Sequence, residues 1–402
     1  MRIQNLLLCF SCLLLLVYSV GVQAQSLPVA KPESVGMSST QLSLVKAMIN
    51  SAIEQKDFPG AAIIVSRKGH IVLREAFGKS QWVPEERPME IDMIFDMASV
   101  TKPVATATSI MILVEQGRIR LWDTVKEYIP EFASYVDENG KPGEDARIWH
   151  LLTHTSGLPP YTPAKEVEEK YGNPCPMDSL VKHIALLKKT DPPGTAFHYS
   201  CLGFITLAEI LDRITGQTLA EFSVKHIYRP LKMENTFYNP ADSFREKCVP
   251  TEVIDGKPLI GIVHDPLARL LSGVSGNAGL FSTADDLAIF AQMLLNKGTF
   301  EGIRILSPLT VERMTSVYPD VAFSGRGLGW DLNSAYSTNG GDLFGPASYG
   351  HSGYTGTSIW IDPETETSVI FLTNRVHPSD GGAVLSLRSR IANIVASSIF
   401  EK

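Results

Sequence analysis

Apolar residues recur at Leu42, Val45, Met48, Ile49 and Ile53, the three-to-four-residue spacing of one helix face. Ser38 and Ser39 stand just before them as N-caps, so the pattern predicts a helix over residues 38–55. Two apolar runs follow at 61–66 and 71–77 around a Lys68-Gly69 turn, which reads as an antiparallel hairpin. Residues 95–99 are again strand-like. A helix is expected from there over 99–116, with Gly117 as its stop. Pro103 falls in its first turn, where a missing N–H costs little.

From that helix to about residue 300 the chain reads as helix and loop. Its connections are Pro- and Gly-rich, as in Asp191-Pro192-Pro193-Gly194. Helical spacing covers 202–215, up to Gly216, and 284–295, entered through Ser282-Thr283. Strands resume at 357–361 and 369–373, and helical spacing returns over 384–400.

Strands near both ends with helices between predict an α/β (α+β) fold. One antiparallel sheet would come from about residues 34–98 and 300–400, and a mostly helical inserted lobe from about 99–299. A site is expected in the crevice between them.

Composition narrows the function without naming it. The 402 residues are 44% hydrophobic and 20% charged, as in an ordinary globular protein. A net charge of -7 without basic runs argues against a nucleic-acid partner. Arg2, an apolar stretch over 6–17 and Val22-Gln23-Ala24 form a secretory leader, with cleavage expected after Ala24. That predicts a periplasmic or extracellular protein of residues 25–402; retention of the leader as an anchor is the alternative. No stable membrane insertion is expected after cleavage. Of the cysteines beyond it, Cys175, Cys201 and Cys248, an odd one must stay unpaired within the chain.

The chemistry begins at Ser99-Val100-Thr101-Lys102. Positions i and i+3 share a helix face, so the Ser99 hydroxyl and the Lys102 amine are neighbours. A serine alcohol attacks only when a base takes its proton. A lysine is that base only where its surroundings lower its pKa.

Three later segments fit. Tyr199, in Phe197-His198-Tyr199-Ser200-Cys201, offers a phenol to shuttle a proton; a core-edge tyrosine is the plainer reading. His351-Ser352-Gly353-Tyr354 places a glycine where backbone approaches substrate closely, or simply a turn into an edge strand. In His150-Leu151-Leu152-Thr153-His154-Thr155-Ser156-Gly157-Leu158, the two histidines at i, i+4 have zinc spacing. A metalloprotease glutamate and a third ligand are missing, so Thr153, Thr155 and Ser156 tying down a turn is preferred.

In this order, and over residues 34–398, these segments resemble the serine beta-lactamase and penicillin-binding-protein superfamily, in the branch of class C beta-lactamases, DD-peptidases and related esterases. Gly279-Leu280-Phe281-Ser282-Thr283-Ala284-Asp285-Asp286-Leu287 and Gly327-Leu328-Gly329-Trp330 look like two further signatures. The resemblance implies a beta-lactamase/transpeptidase-like fold, Ser99 as nucleophile, Lys102 as its base and Tyr199 as the second proton-transfer group. It places His351 at the first position of a Lys-Thr-Gly triplet, followed by Ser352 and Gly353. It also implies an oxyanion hole made by the N–H groups of Ser99 and Tyr354.

Two residues depart from the pattern. Cys201 stands where an Asn amide would hold a substrate carbonyl, and a thiol is a weak donor and poor acceptor. His351 replaces a permanent cation by a group expected to be only partly protonated near pH 7.

The stretch 261–281 is similar to a narrower subgroup of penicillin-binding protein 4B-like and muropeptide-amidase-like enzymes. There, His264 with Asp265 either reaches the substrate or holds a loop. Arg375 either receives a substrate carboxylate or is a solvated strand-end residue.

The expectation is an exported serine hydrolase with no cofactor or metal. It would act on a small molecule or muropeptide, at a D-Ala-D-Ala peptide or muramyl-peptide amide bond. A carboxylesterase, a non-hydrolytic penicillin-binding sensor and a beta-lactamase are the alternatives.

Overall fold

The computed structural model describes residues 26–332, 334 and 339–401; the expected leader and its cleavage point lie outside them. Among the described residues no helix is long and apolar enough to cross a membrane.

The main sheet has six antiparallel strands drawn from both chain ends. Its order is Tyr349–Ser352, Ser358–Asp362, Thr367–Thr373, Gly60–Arg67, His70–Gln81 and Arg87–Pro88. Every residue of Gly60–Arg67 is buried, because this strand is covered on both faces. Ala61, Ile63 and Val65 pack with Leu42, Val45 and Ile49 of the helix Ser39–Glu54, and with Ile391 and Val395 of the C-terminal helix Leu385–Ser397. The alternate residues Ala62 and Ile64 join the larger core, shared with the helix Ala284–Leu295 and the helical region. Registers such as Ile63 opposite Phe371 bind the two chain ends together.

Ser38 caps the first helix by accepting the Gln41 N–H, as its position predicts. The helix expected over 99–116 is three segments rather than one. A 3-10 turn at Ala98–Val100 leads to a π-helix at Lys102–Ala107 and then an α-helix at Thr108–Glu115. Pro103 removes one donor, and the Thr108 hydroxyl bonds the Pro103 carbonyl at 2.8 Å, so the usual ladder slips. A small sheet of Phe95–Asp96, Leu280–Ser282 and Phe237–Tyr238 lies beside this segment. The strand Tyr349–Ser352 ends where the sequence places a turn into an edge strand, and Tyr-Gly-His-Ser itself carries no period-two apolar signal.

Candidate active site

Ser99 follows a strained turn. Ala98 holds φ +45, a conformation L-residues rarely adopt, and its N–H is fastened to the Asp96 carboxylate at 2.9 Å. The strand Leu280–Ser282 fixes the turn from the side. Met97 N–H donates to the Leu280 carbonyl at 2.8 Å, and Thr101 Oγ1 accepts the Leu280 N–H at 3.1 Å. The Gly279–Leu287 signature is therefore a clamp on the Ser99 turn, and Thr283 within it caps the helix Ala284–Leu295.

Lys102 is fully buried. Its Nζ donates to Ser99 Oγ at 2.8 Å and to the Asn277 carbonyl at 3.1 Å, and it lies 3.5 Å from Cys201 Sγ. The Tyr199 ring is 5.0 Å away. Burial opposes the charge on Lys102, but the Cys201 sulfur, the Tyr199 oxygen and Asp265 outweigh it and hold Lys102 above the ordinary lysine value. A lysine base calls for a depressed pKa, and the direction at Lys102 is the opposite. Burial pushes the Cys201 thiol up, against the pull of Lys102.

Tyr199 rests in a cradle built by the 150–158 segment. The His154 ring lies 4.4 Å from the Tyr199 ring, and its Nδ1 accepts the Ser200 N–H at 3.0 Å. His154 also accepts the His198 N–H through its carbonyl at 3.0 Å. His150 Nδ1 accepts the Arg147 N–H at 2.8 Å, so both histidines spend a ring nitrogen on backbone. Thr153 and Thr155 bond each other at 2.8 Å, as the turn reading of this segment expects.

His351 stands across the cleft from Tyr199, ring centroids 6.1 Å apart. Its Nδ1–H donates to the Ser352 carbonyl at 2.9 Å, while Nε2 is buried with no hydrogen-bond partner among the described residues. Burial, Arg326 and Lys102 lower its pKa well below 6.5. The partial protonation expected near pH 7 is thereby corrected: His351 is a neutral ring in a cationic neighbourhood.

Residues 353–357 are sewn onto the Ser99 turn. Thr355 Oγ1 donates to the Asp96 carbonyl at 2.7 Å and Thr357 Oγ1 to the Met97 carbonyl at 3.0 Å. Gly353 lies so close that a Cβ there would stand 2.4 Å from Met97 O and 2.2 Å from Thr357 Oγ1. The Tyr354 N–H has no acceptor among the described residues.

A cleft of about 730 Å³ is lined by Ser99, Tyr199, His351, Ser352, Gly353 and Tyr354, and by the arginines Arg326, Arg375 and Arg388. Cys201 lies on a neighbouring hollow of about 430 Å³ beyond Tyr199. Arg375 is half-buried at the cleft and already engaged. It bonds the Tyr354 carbonyl at 2.7 Å and Asp380 at 2.8 Å, and its guanidinium covers the Tyr354 ring. Asp380 accepts the Tyr354 hydroxyl as well.

His264 stacks on Tyr354 with centroids 5.6 Å apart but does not line the cleft. Its N–H donates to Asp96 at 2.6 Å, and its Nε2 sits 3.2 Å from Glu252, off the line of a hydrogen bond. Asp265 caps the turn Pro266–Leu270 and accepts the Tyr161 hydroxyl at 3.1 Å. The two therefore hold a loop separately rather than as a pair.

Sequence reasoning missed Asp96, Arg326 and Arg388. Asp96 did carry a signal: a lone acid in an apolar strand, three residues before Ser99. So did Arg388, three residues before Ile391 on a buried helix face.

The beta-lactamase family model matches residues 45–393. The chain is 32% identical over 375 residues to the N-acetylmuramyl-L-alanine amidase of Bacillus subtilis (strain 168), covering 86% of this chain and 83% of that protein. It is 30% identical over 395 residues to a Salmonella agona (strain SL483) protein with a provisional D-alanyl-D-alanine carboxypeptidase name, covering 90% of each. Among solved structures, EstCE1, a hydrolase with promiscuous acyltransferase activity, superposes with TM-score 0.70 at 23% identity, over 89% of this chain and 99% of that one. A penicillin-binding protein homolog from Caulobacter crescentus does so with TM-score 0.69 at 20% identity, over 90% of this chain and 99% of the other. These two likenesses bear on the fold alone.

Proposed function

This chain belongs to the beta-lactamase family of serine hydrolases, and from that premise we propose that it is exported and cleaves an amide or peptide bond of a peptidoglycan fragment. The reading is carried by one contact, Lys102 Nζ at 2.8 Å from Ser99 Oγ on the cleft wall. Export rests on the leader-like first 24 residues. The peptidoglycan substrate is supported by the names of the two relatives above 30% and at 30% identity.

Ser99 Oγ attacks the carbonyl carbon while its proton passes to the Lys102–Tyr199 pair. The pair must first hold one proton fewer than its full complement. The oxyanion is received by the N–H groups of Ser99 and Tyr354. The proton then goes to the departing nitrogen as the C–N bond breaks, leaving an ester on Ser99. Water, deprotonated by the same pair, attacks that ester and releases the acid.

A carboxylesterase of the same mechanism is the second reading. It is favoured by Cys201 in place of an amide donor and by the neutral His351. The test is incubation of the mature protein and Ser99→Ala with defined muropeptides and p-nitrophenyl esters, with products identified by mass. Muropeptide cleavage lost in Ser99→Ala is the expected result. Ester turnover alone would assign the esterase, and a lasting penicillin adduct without turnover would assign a sensor. Failure of wild-type protein to form any Ser99 adduct overturns the catalytic reading.

A further inference from the structure

Arg388 is an oddity of the cleft floor. It sits in the helix Leu385–Ser397, is 5% exposed, and lines the cleft beside Ser99 and Tyr354. The other two arginines of the cleft face carboxylates, Arg375 facing Asp380 at 2.8 Å and Arg326 facing Asp331 at 3.8 Å. No carboxylate lies within ion-pair distance of Arg388 among the described residues. Burying a cation without a countercharge is costly. Burial, with Arg375 nearby, lowers its pKa to about 9, which leaves it charged at neutral pH.

Arg388 instead meets two carbonyls. Its Nη2 donates to Gly353 O at 3.1 Å and to Thr357 O at 3.0 Å. Gly353 O is the carbonyl of the peptide unit whose N–H belongs to Tyr354. A charged donor on that oxygen draws electron density from the amide and makes its N–H a stronger donor. Thr357 O also accepts the Gly353 N–H at 2.7 Å, so one guanidinium spans the base of the 353–357 loop. The Nε of Arg388 is buried without a hydrogen-bond partner among the described residues, so the packing tolerates an orphaned donor to keep Nη2 in place.

We propose that Arg388 is the positioning residue of the oxyanion hole: it fixes and polarises the Gly353–Tyr354 peptide so that the Tyr354 N–H meets the developing oxyanion. The inference rests on the Ser99 acyl-enzyme reading but not on any particular scissile bond. Arg388 acts through a backbone amide, so its loss weakens transition-state binding far more than ground-state binding.

The experiment compares wild type, Arg388→Met and Arg388→Lys on two p-nitrophenyl esters, one neutral and one carrying a free carboxylate. Thermal denaturation establishes that each variant is folded. Arg388→Met is expected to lower kcat by about 30-fold on both esters, less than the roughly 100- to 1000-fold cost of removing an oxyanion donor outright because the Tyr354 N–H itself remains, with KM within about twofold. Arg388→Lys, which keeps the charge but not the fork, is expected to fall between Met and wild type. Unchanged kcat in Arg388→Met overturns the inference. So does a KM increase confined to the carboxylate ester, which makes Arg388 a substrate clamp. If Arg388→Met does not fold, Arg388→Lys decides: reduced kcat with unchanged KM supports the role, and wild-type kcat overturns it. Wild-type protein is labelled in parallel with a fluorophosphonate. Absence of the Ser99 adduct overturns the acyl-enzyme reading and this inference together, whereas labelling without an Arg388 effect overturns only the inference.

Discussion

Thr355 Oγ1 donates to the carbonyl oxygen of Asp96 at 2.7 Å, joining the loop that carries the Tyr354 N–H to the turn that carries Ser99. The two N–H groups proposed to receive the oxyanion come from distant parts of the chain, and this bond, with Thr357 Oγ1 to Met97 O at 3.0 Å, ties their segments together. Thr355→Val keeps the shape but leaves a buried carbonyl with one partner fewer. We expect a stability loss of about 1–2 kcal/mol. A kcat reduction on the order of 10-fold with little change in KM should accompany it. Steady-state kinetics with a p-nitrophenyl ester and a urea titration measure both; a wild-type kcat would show that the loop is placed by other contacts.

The raised pKa of Lys102 has a kinetic consequence. Serine attack needs a proton acceptor beside Ser99, and the raised pKa of Lys102 keeps its neutral amine scarce at pH 7. The rate of Ser99 acylation should therefore climb steadily from pH 6 through pH 8. His351, neutral over this range, should add no inflection near 6.5. Fluorophosphonate labelling rates across pH test this, and a plateau already reached at pH 6.5 contradicts it.

His154 and His351 are held well below the ordinary histidine pKa of 6.5, and His150 is lowered to about 3, in each case first by burial. The unfolded chain gains protons on these rings below about pH 6.5 that the folded chain refuses. More protons bound in the unfolded state means stability rises with pH, so it is lost as pH falls below that value. Each ring contributes a slope of up to about 1.4 kcal/mol per pH unit. Buried Asp286, pushed up to about 7, opposes this slope over the same range, so the histidine part is read from urea midpoints at pH 7 and pH 5 in wild type against His154→Gln. Replacing His154 by Gln should flatten part of the slope.

The family resemblance puts Cys201 where an amide would grip substrate; it lies on the hollow beyond Tyr199, 3.5 Å from Lys102 Nζ. Cys201→Asn supplies an amide N–H to the substrate and a carbonyl oxygen to Lys102. Turnover of an amide relative to the matching ester should rise by about 10-fold, the worth of one well-made hydrogen bond. A matched pair of acyl-amide and acyl-ester substrates reads the ratio directly. An unchanged ratio would mean that Cys201 only packs.

What the chain determines by itself is local. Ser99 and Lys102 share a turn, Ser38 caps a helix, and the run at 60–67 is apolar throughout, so each shows within a short window of sequence. Tyr199 and His351 stand out in the sequence through the motifs that contain them, and the structure brings both to the cleft, Tyr199 against His154 of the distant 150–158 segment. What only the tertiary structure decided depends on residues distant in the chain. Arg375 is paired with Asp380 and bonded to the Tyr354 carbonyl, Arg388 reaches the 353–357 loop, and Asp96 binds the Ala98 and His264 N–H groups and the Thr355 hydroxyl beside Ser99. The signs of the charge effects belong here too. Whether Lys102 is raised and His351 neutral depends on burial and on the summed field of Arg326, Cys201, Tyr199 and Asp265, and no spacing along the chain carries that sum.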